Sequence, residues 1–321
     1  VIAALRSAFP NAAIDLATSR WSRVAAETNP ELDAIVELPE ASSAALPRLR
    51  RTWRARGYEL AVVLDRSPMY GAAAYLAGIP DRAGYDSLGR GFALNRRVVV
   101  PARVHELDLG LSVVEAMGLP VGCRIPNYHV MPDDHARARI LLEGRDIPRA
   151  AKFATLAPGG GTNPGAVMAE KRWCPDGFAL LAERCIAEGM DVALVGGPND
   201  AESASHVRRL ARAKVHDLVG LTSFRELAAI LQRSSLYVGN DSGTTHLAAA
   251  VGCPTVAIFG PTDPGRYGPR GAKVAIVAAK PAADDPGRGM VRSPWFTGRA
   301  WQSLVQDDDV WAAALGLGVA P

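Results

Sequence analysis

Short apolar runs alternate with amphipathic stretches along almost the whole chain. That pattern predicts stacked βα units around parallel sheets, an α/β fold. In the first half, strands are predicted at 13–17, 34–38, 60–64 and 97–100, and helices at 21–27, 42–56 and 69–76. Ser42 and Ser43 are placed to cap the second of these helices. The second half is more regular, with a buried strand at 153–157 and a Gly- and Pro-containing loop to Trp173. A helix at 175–188 stops at Gly189, and a strand at 191–195 and a helix at 201–213 follow. Ser223-Phe224-Arg225-Glu226 has capping-box spacing, in which Ser and Glu each satisfy a backbone donor of the other, and the helix it opens runs to Gln232. A strand at 236–239, a helix at 244–251, a strand at 255–259 and a last helical pattern at 308–315 complete the series.

The charged segment 132–149 interrupts the βα alternation, so the domain boundary is drawn near residue 150, giving domains at 1–150 and 151–321. Two domains also suit a chain of 321 residues. Val1, Ile2, Leu5 and Phe9 begin a helical pattern with no strand before it. The expectation is that the first strand of the N-terminal domain is missing.

Composition narrows the classes. With 48% hydrophobic and 21% charged residues, the chain can bury sizeable cores and is not disordered. The net charge of +3 comes mostly from arginine, with five lysines at 152, 171, 214, 273 and 280. This excess tolerates anionic partners or is simply arginine-rich composition. No basic block carries interleaved aromatics, which argues against nucleic acid. Cys123, Cys174, Cys185 and Cys253 are scattered without a C-x-x-C pair. They predict neither a zinc site nor a disulfide framework, and they suit a reducing cytoplasm. No apolar run is long enough to span a bilayer.

Three loops carry candidate chemistry. In Tyr237-Val238-Gly239-Asn240-Asp241-Ser242-Gly243-Thr244-Thr245-His246 a strand ends and a helix begins within a few residues. Free N–H groups and the positive dipole end at such a start favour a phosphate, and Gly243 lets backbone approach a ligand. Alternatively, Asp241 or Ser242 is a helix cap. Phe259-Gly260-Pro261-Thr262-Asp263-Pro264 ends the next strand, so Thr262 and Asp263 face the same crevice, or form an ordinary Asp-Pro turn. Pro158-Gly159-Gly160-Gly161-Thr162-Asn163, followed by Lys171-Arg172-Trp173, resembles a phosphate cradle. It has neither Walker spacing nor G-x-G-x-x-G, which weighs against a nicotinamide dehydrogenase.

Taken together, Asn240 to Gly243, His246-Leu247-Ala248-Ala249-Ala250, Gly252-Cys253-Pro254 and Phe259 to Pro264 resemble the bacterial ADP-heptose:lipopolysaccharide heptosyltransferase family, glycosyltransferase family 9. Leu5 to Ala12, Ala77-Gly78-Ile79-Pro80-Asp81-Arg82-Ala83-Gly84-Tyr85 and Lys171-Arg172-Trp173 extend the resemblance through most of the chain. It implies the GT-B fold, two Rossmann-like domains facing a cleft, with an acceptor side first and a donor-binding domain second. It implies inverting, metal-independent transfer of a sugar, with ADP-heptose as donor, onto a lipopolysaccharide core or related glycan. Lys171 would neutralise the donor diphosphate and Asp241 would hold the donor. Gly159 and Thr162 of the glycine loop, with Ser242, Gly243, Thr244, Thr245 and His246, would frame the pyrophosphate. Glu202 resembles the ribose-binding glutamate, or serves its helix dipole, and Thr222 resembles a residue lining the adenine pocket.

The family's general base lies in a Gly-Asp loop upstream of the helix that Val1 opens, so the base is expected outside this chain. Asp65 is a weak candidate and reads more readily as a cap or turn residue. The resemblance further implies a monomer in the cytoplasm, peripheral on the inner face of the membrane where a glycolipid acceptor sits. The arginine-dense helix with Arg48, Arg50, Arg51, Arg54 and Arg56 would serve that contact or be a solvated face. The alternatives are another nucleotide-sugar donor or surface-glycan acceptor on the same fold, or a nucleotide-sugar-binding module without turnover.

Overall fold

The computed structural model describes residues 1–39, 42–163, 166–279 and 300–319. The chain forms two compact units, Val1–Arg124 and Ile125–Pro321. The cysteine-free, Pro- and Arg-rich stretch 280–299, with Lys280, lies outside the described residues.

The first unit holds α1 (Ile2–Ala8), β1 (Asp15–Thr18), β2 (Ala34–Glu37), α2 (Leu46–Arg56), β3 (Leu60–Val63), α3 (Pro68–Ala77), β4 (Asp81–Asp86), β5 (Arg96–Val99) and α4 (Glu106–Ala116). β1 and β2 form a parallel pair, and β3, β4 and β5 form a parallel three-stranded sheet. The core is modest: Leu49 and Trp53 of α2 pack on Ala73, Ala74 and Ala77 of α3, while Leu109 and Val113 of α4 cover Ala83 and Tyr85. The helix predicted at 21–27 shrinks to a three-residue 3-10 turn, because none of its residues is buried and no apolar stripe holds a longer helix. β4 escaped the pattern because Asp81, Arg82 and Gly84 break its apolar alternation. It lies tight against β3, where a Cβ at Gly84 would come within 2.4 Å of the Val63 carbonyl. Arg82 is a cement for this corner: it donates to the carbonyls of Ile79, Pro80 and Ala93 and lies over the Tyr75 ring.

The second unit opens with α5 (Pro132–Glu143), then β6 (Phe153–Ala157), a short hairpin of β7 (Thr162–Asn163) and β8 (Ala166–Val167), α6 (Pro175–Ala187), β9 (Asp191–Leu194), α7 (Ala201–Leu210) and β10 (His216–Asp217). It continues with α8 (Phe224–Arg233), β11 (Leu236–Asn240), α9 (Gly243–Ala250), β12 (Thr255–Phe259), α10 (Pro264–Tyr267), β13 (Val274–Ala278) and α11 (Asp307–Gly316). The division at 124 lies upstream of the boundary drawn at 150, because Ala138 and Leu142 of α5 join the core beneath α8.

Six parallel strands run in the order β10-β9-β6-β11-β12-β13. Counted by their sequence order in this unit, that is the 3-2-1-4-5-6 order of the doubly wound dinucleotide-binding fold. Side chains alternate between two buried faces, as a parallel sheet covered on both sides requires. Ala154, Leu156, Val192, Leu194, Leu236 and Val238 face α6, α7 and α11. Phe153, Ala157, Ala193, Val195 and Tyr237 face α5, α8 and α9. β10 went unread because it has only two residues, and β13 because its apolar run carries no flanking helix signal.

The capping box at α8 forms as the spacing predicts: Ser223 Oγ accepts from Glu226 N–H, and the Glu226 carboxylate accepts from Ser223 N–H and O–H. Ser223→Ala should therefore lower the stability of the second unit by about 1 kcal/mol, read as a shifted urea midpoint with an unchanged slope.

Candidate functional site

In this strand order the chain leaves β6 in one direction and β11 in the other. The loops at their carboxyl ends part, and a crevice opens between them. Asn240, the last residue of β11, ties the two strand ends together. Its Oδ1 accepts from Trp173 N–H at 2.9 Å, and its amide donates to the carbonyls of Pro158 at 3.1 Å and Gly159 at 2.9 Å. It was quoted in the sequence motif without a role; its signal was a side-chain amide directly after a buried apolar strand.

Next to it, Asp241 is 7% exposed, and its Oδ2 accepts from Lys171 Nζ at 2.6 Å and from Thr262 Oγ1 at 2.7 Å. Three loops, after β6, β11 and β12, thus deliver one side chain each to a single cluster. Thr262 faces this site as its proline-framed turn suggested. Asp263 does not: it caps α10 by accepting from Gly265 N–H.

Lys171 closes a short 3-10 turn, Ala169–Lys171, held from both sides. Trp173 is buried against Phe178 and donates its indole N–H to Val305 O. Trp301 Nε1 donates to Glu170 O at 2.7 Å, and Gln302 donates to Arg172 O. The long, flexible lysine stem is thereby anchored at its base, which limits the entropy lost when the ammonium is used.

The glycine loop is shaped by contact rather than by repeat spacing. Gly160 has φ +98°, where side chains are strained, and a Cβ there would lie 2.8 Å from Ser242 Cβ. Asp200, another residue without an assigned role at the sequence level, accepts from Gly160 N–H and Gly197 N–H, each at 2.9 Å. Arg172 donates to Gly160 O at 2.9 Å.

At the start of α9, Ser242 occupies the cap position without a side-chain cap bond, so the structure does not use it, or Asp241, as the helix cap. Gly243 and His246 are exposed, and the space beside Gly243 is open. Thr245 is placed differently from the sequence expectation. It is buried, donates its hydroxyl to Asn240 O, and receives the Tyr237 hydroxyl at 3.0 Å. It braces the loop from within rather than offering a hydroxyl outward. Burial pushes the Tyr237 phenol well above its ordinary range and the Cys253 thiol up to about 12, so both stay neutral.

Glu202 is exposed in the first turn of α7, after β9, and Thr222 precedes α8, after β10. Gly220 N–H donates to Gly196 O, which keeps the loops after β9 and β10 side by side. Gly159, Thr162, Glu202 and Thr222 therefore share the carboxyl edge of the sheet with Lys171 and Asp241. In the first unit, Asp65 is exposed and its Oδ1 accepts from Ser67 N–H at 2.6 Å, the bond of a turn residue. No group of three or more metal-ligating side chains occurs among the described residues.

The edge presents an ammonium, a guanidinium, an open helix start and backbone N–H groups, a set suited to an anionic ligand. Gly159 tests the shape of its wall: a Cβ there would fall 2.2 Å from the Asp200 carboxyl. Gly159→Ala should displace Asp200 and destabilise the second unit by about 1–3 kcal/mol, measured by urea denaturation.

The model of glycosyltransferase family 9 (heptosyltransferase) matches residues 46–292. Lipooligosaccharide heptosyltransferase 2 of Haemophilus influenzae is 27% identical over 288 residues, 85% of this chain and 82% of that protein. The structure of E. coli ADP-heptose LPS heptosyltransferase II superposes with a TM-score of 0.77 at 22% identity, covering 98% of this chain and 92% of the other. A family 9 glycosyl transferase from Veillonella parvula superposes with a TM-score of 0.82 at 21% identity, covering 98% and 91%. These likenesses agree on the α/β fold with parallel sheets seen here. A family match spanning most of the chain, on a sheet whose carboxyl edge gathers Lys171, Asp241 and Thr262, makes this chain a member of glycosyltransferase family 9, the heptosyltransferases.

Proposed function

We propose that this glycosyltransferase moves a heptose from ADP-heptose onto a hydroxyl of a lipopolysaccharide core, with inversion and without a metal. The observation that carries the reading is the Lys171–Asp241–Thr262 cluster at the point where the strand order of a nucleotide-binding sheet reverses. Curated relatives whose names specify lipopolysaccharide or lipooligosaccharide heptosyltransferase support the choice of sugar and acceptor.

In such a transfer the acceptor oxygen bonds to the anomeric carbon while the bond from that carbon to the diphosphate oxygen breaks. The electron pair leaves with the diphosphate, and the acceptor proton passes to a base. Charge grows on the departing diphosphate, and preorganised cationic and N–H donors lower the barrier by meeting it. Lys171 supplies the ammonium, already desolvated and aimed by Asp241, and the start of α9 at Gly243 and Thr244 supplies N–H groups. Asp241 and Thr262 set the position of Lys171 and lie close enough to contact the donor. Glu202 and Thr222, at the ends of β9 and β10, are assigned to the ribose and adenine. The acceptor base is assigned to no residue here, since the nearest expectation, Asp65, is occupied in a turn.

We further place the enzyme as a monomer at the cytoplasmic face of the membrane that bears its acceptor. No helix among the described residues is long and apolar enough to cross a bilayer. Arg48, Arg50, Arg51 and Arg54 leave an exposed cationic face on α2, whereas Arg56 is paired with Asp15.

Calorimetric titration should show ADP and ADP-heptose binding and UDP-sugars binding much more weakly; absence of any nucleotide binding would remove the reading. Lys171→Met and Asp241→Asn should each lower kcat by roughly 10²–10³, measured by heptose transfer, with circular dichroism unchanged. Thr262→Val removes one of two donors to Asp241 and should cost about tenfold in kcat/KM. Wild-type rates in all three variants would contradict the roles given to them.

A further inference from the structure

We propose that the groove between α5 and α8, on a helical face of the second unit, is a separate anion site for the phosphate group of an organic ligand. The groove has a volume of about 360 Å³ and is lined by His135 and Arg139 of α5, Arg149 before β6, and Arg233 at the end of α8. Its floor is apolar, formed by Ala138, Leu142 and Ala229. A basic rim over an apolar floor suits a phosphate that carries an organic body, and does not suit a bare metal ion or a peptide of mixed charge.

The arginines on this rim differ from several others in the unit. Arg137, Arg184, Arg208 and Arg225 are each ion-paired with an acidic side chain. Arg139 and Arg149 are exposed and make no ion pair among the described residues. Arg233 is more constrained. Its Nη2 donates to the carbonyls of Pro148, Arg149 and Ala151, and its guanidinium lies 4.9 Å from the Phe153 ring centroid. Its Nη1, enclosed by protein, has no hydrogen-bond partner among the described residues.

Arg233 thereby fixes the turn at 148–151 that carries Arg149, and the exposed guanidiniums of Arg139 and Arg149 are left to meet an anion in the groove. Burial draws the Arg233 guanidinium below its ordinary range, with Arg149 adding to the effect and Glu143 opposing it. The lining of the groove carries three arginines and no acidic side chain, which raises the local potential for an anion. The site is distinct from the donor site in its residues: the groove lies along α5 and α8, whereas Lys171 and Asp241 sit at the carboxyl ends of β6 and β11.

The test uses the whole chain carrying Lys171→Met, which removes the donor-site ammonium. Inorganic phosphate is titrated calorimetrically at constant ionic strength against this background. One site should be seen, and Arg139→Gln with Arg149→Gln should weaken it at least tenfold. Arg209→Gln with Arg212→Gln, which removes equal charge from exposed positions elsewhere in the unit, should leave it unchanged. The same variants are sedimented with phosphatidylcholine vesicles with and without phosphatidic acid. Sedimentation that depends on phosphatidic acid and on Arg139 and Arg149 identifies a lipid headgroup as the source. Phosphate binding lost in the groove variant, with no sedimentation, identifies a soluble organic phosphate. Either supports the site. Absence of phosphate binding in the Lys171→Met background, or equal weakening by both double variants, overturns it. Melting temperatures in chloride equal to that of the Lys171→Met parent establish that the double variants are folded.

Discussion

The Asp241 carboxylate is the constraint on which the carboxyl edge of the six-stranded sheet depends. It is almost enclosed, and a lone buried carboxylate is costly unless charge and hydrogen bonds meet it. Lys171 meets the charge and Thr262 supplies a second hydrogen bond to the same oxygen. Breaking a pair of this kind by removing one partner typically costs about 3–5 kcal/mol, because the survivor stays buried and unpaired. The cluster is therefore as much a clamp on three loops as a binding device. In the proposed donor complex a diphosphate would offer Lys171 a second anion, and Thr262 would keep Asp241 satisfied while the ammonium is shared.

The sheet makes that clamp possible. β6 and β11 are neighbours although 78 residues of sequence intervene between the end of one and the start of the other. Asn240 fastens their ends by bonding to Pro158, Gly159 and Trp173 at once. The segment at 301–305 returns to lock the Lys171 turn through Trp301, Gln302 and the Val305 carbonyl. Even Gly260 belongs to this packing, since a Cβ there would fall 2.2 Å from the Trp301 ring. Two indoles so placed turn an otherwise exposed loop into a rigid mount for one ammonium.

Much of the second unit was legible in the sequence because its strands are apolar runs bounded by glycine, and its α8 capping box is a local signal. The site loops were legible for the same reason, as polar residues ending buried strands. What escaped was the direction of side chains and the elements that are short or polar. Nothing in the spacing of Thr245 shows that its hydroxyl turns inward to Asn240 O, and nothing near Asp200 announces that it accepts from Gly160. β4 and β10 were lost because polar residues or brevity hid their period, and α5 because its charged face masked Ala138 and Leu142. In the first unit the helix pattern at 21–27 misled, since periodicity without burial does not sustain a helix.

A structure of the chain with ADP bound would test the central claim most directly. The diphosphate is expected at the carboxyl ends of β6 and β11, with Lys171 Nζ about 2.7–3.2 Å from a phosphate oxygen and the α9 N–H groups facing it. A diphosphate seated elsewhere, with Lys171 still bonded only to Asp241, would contradict it.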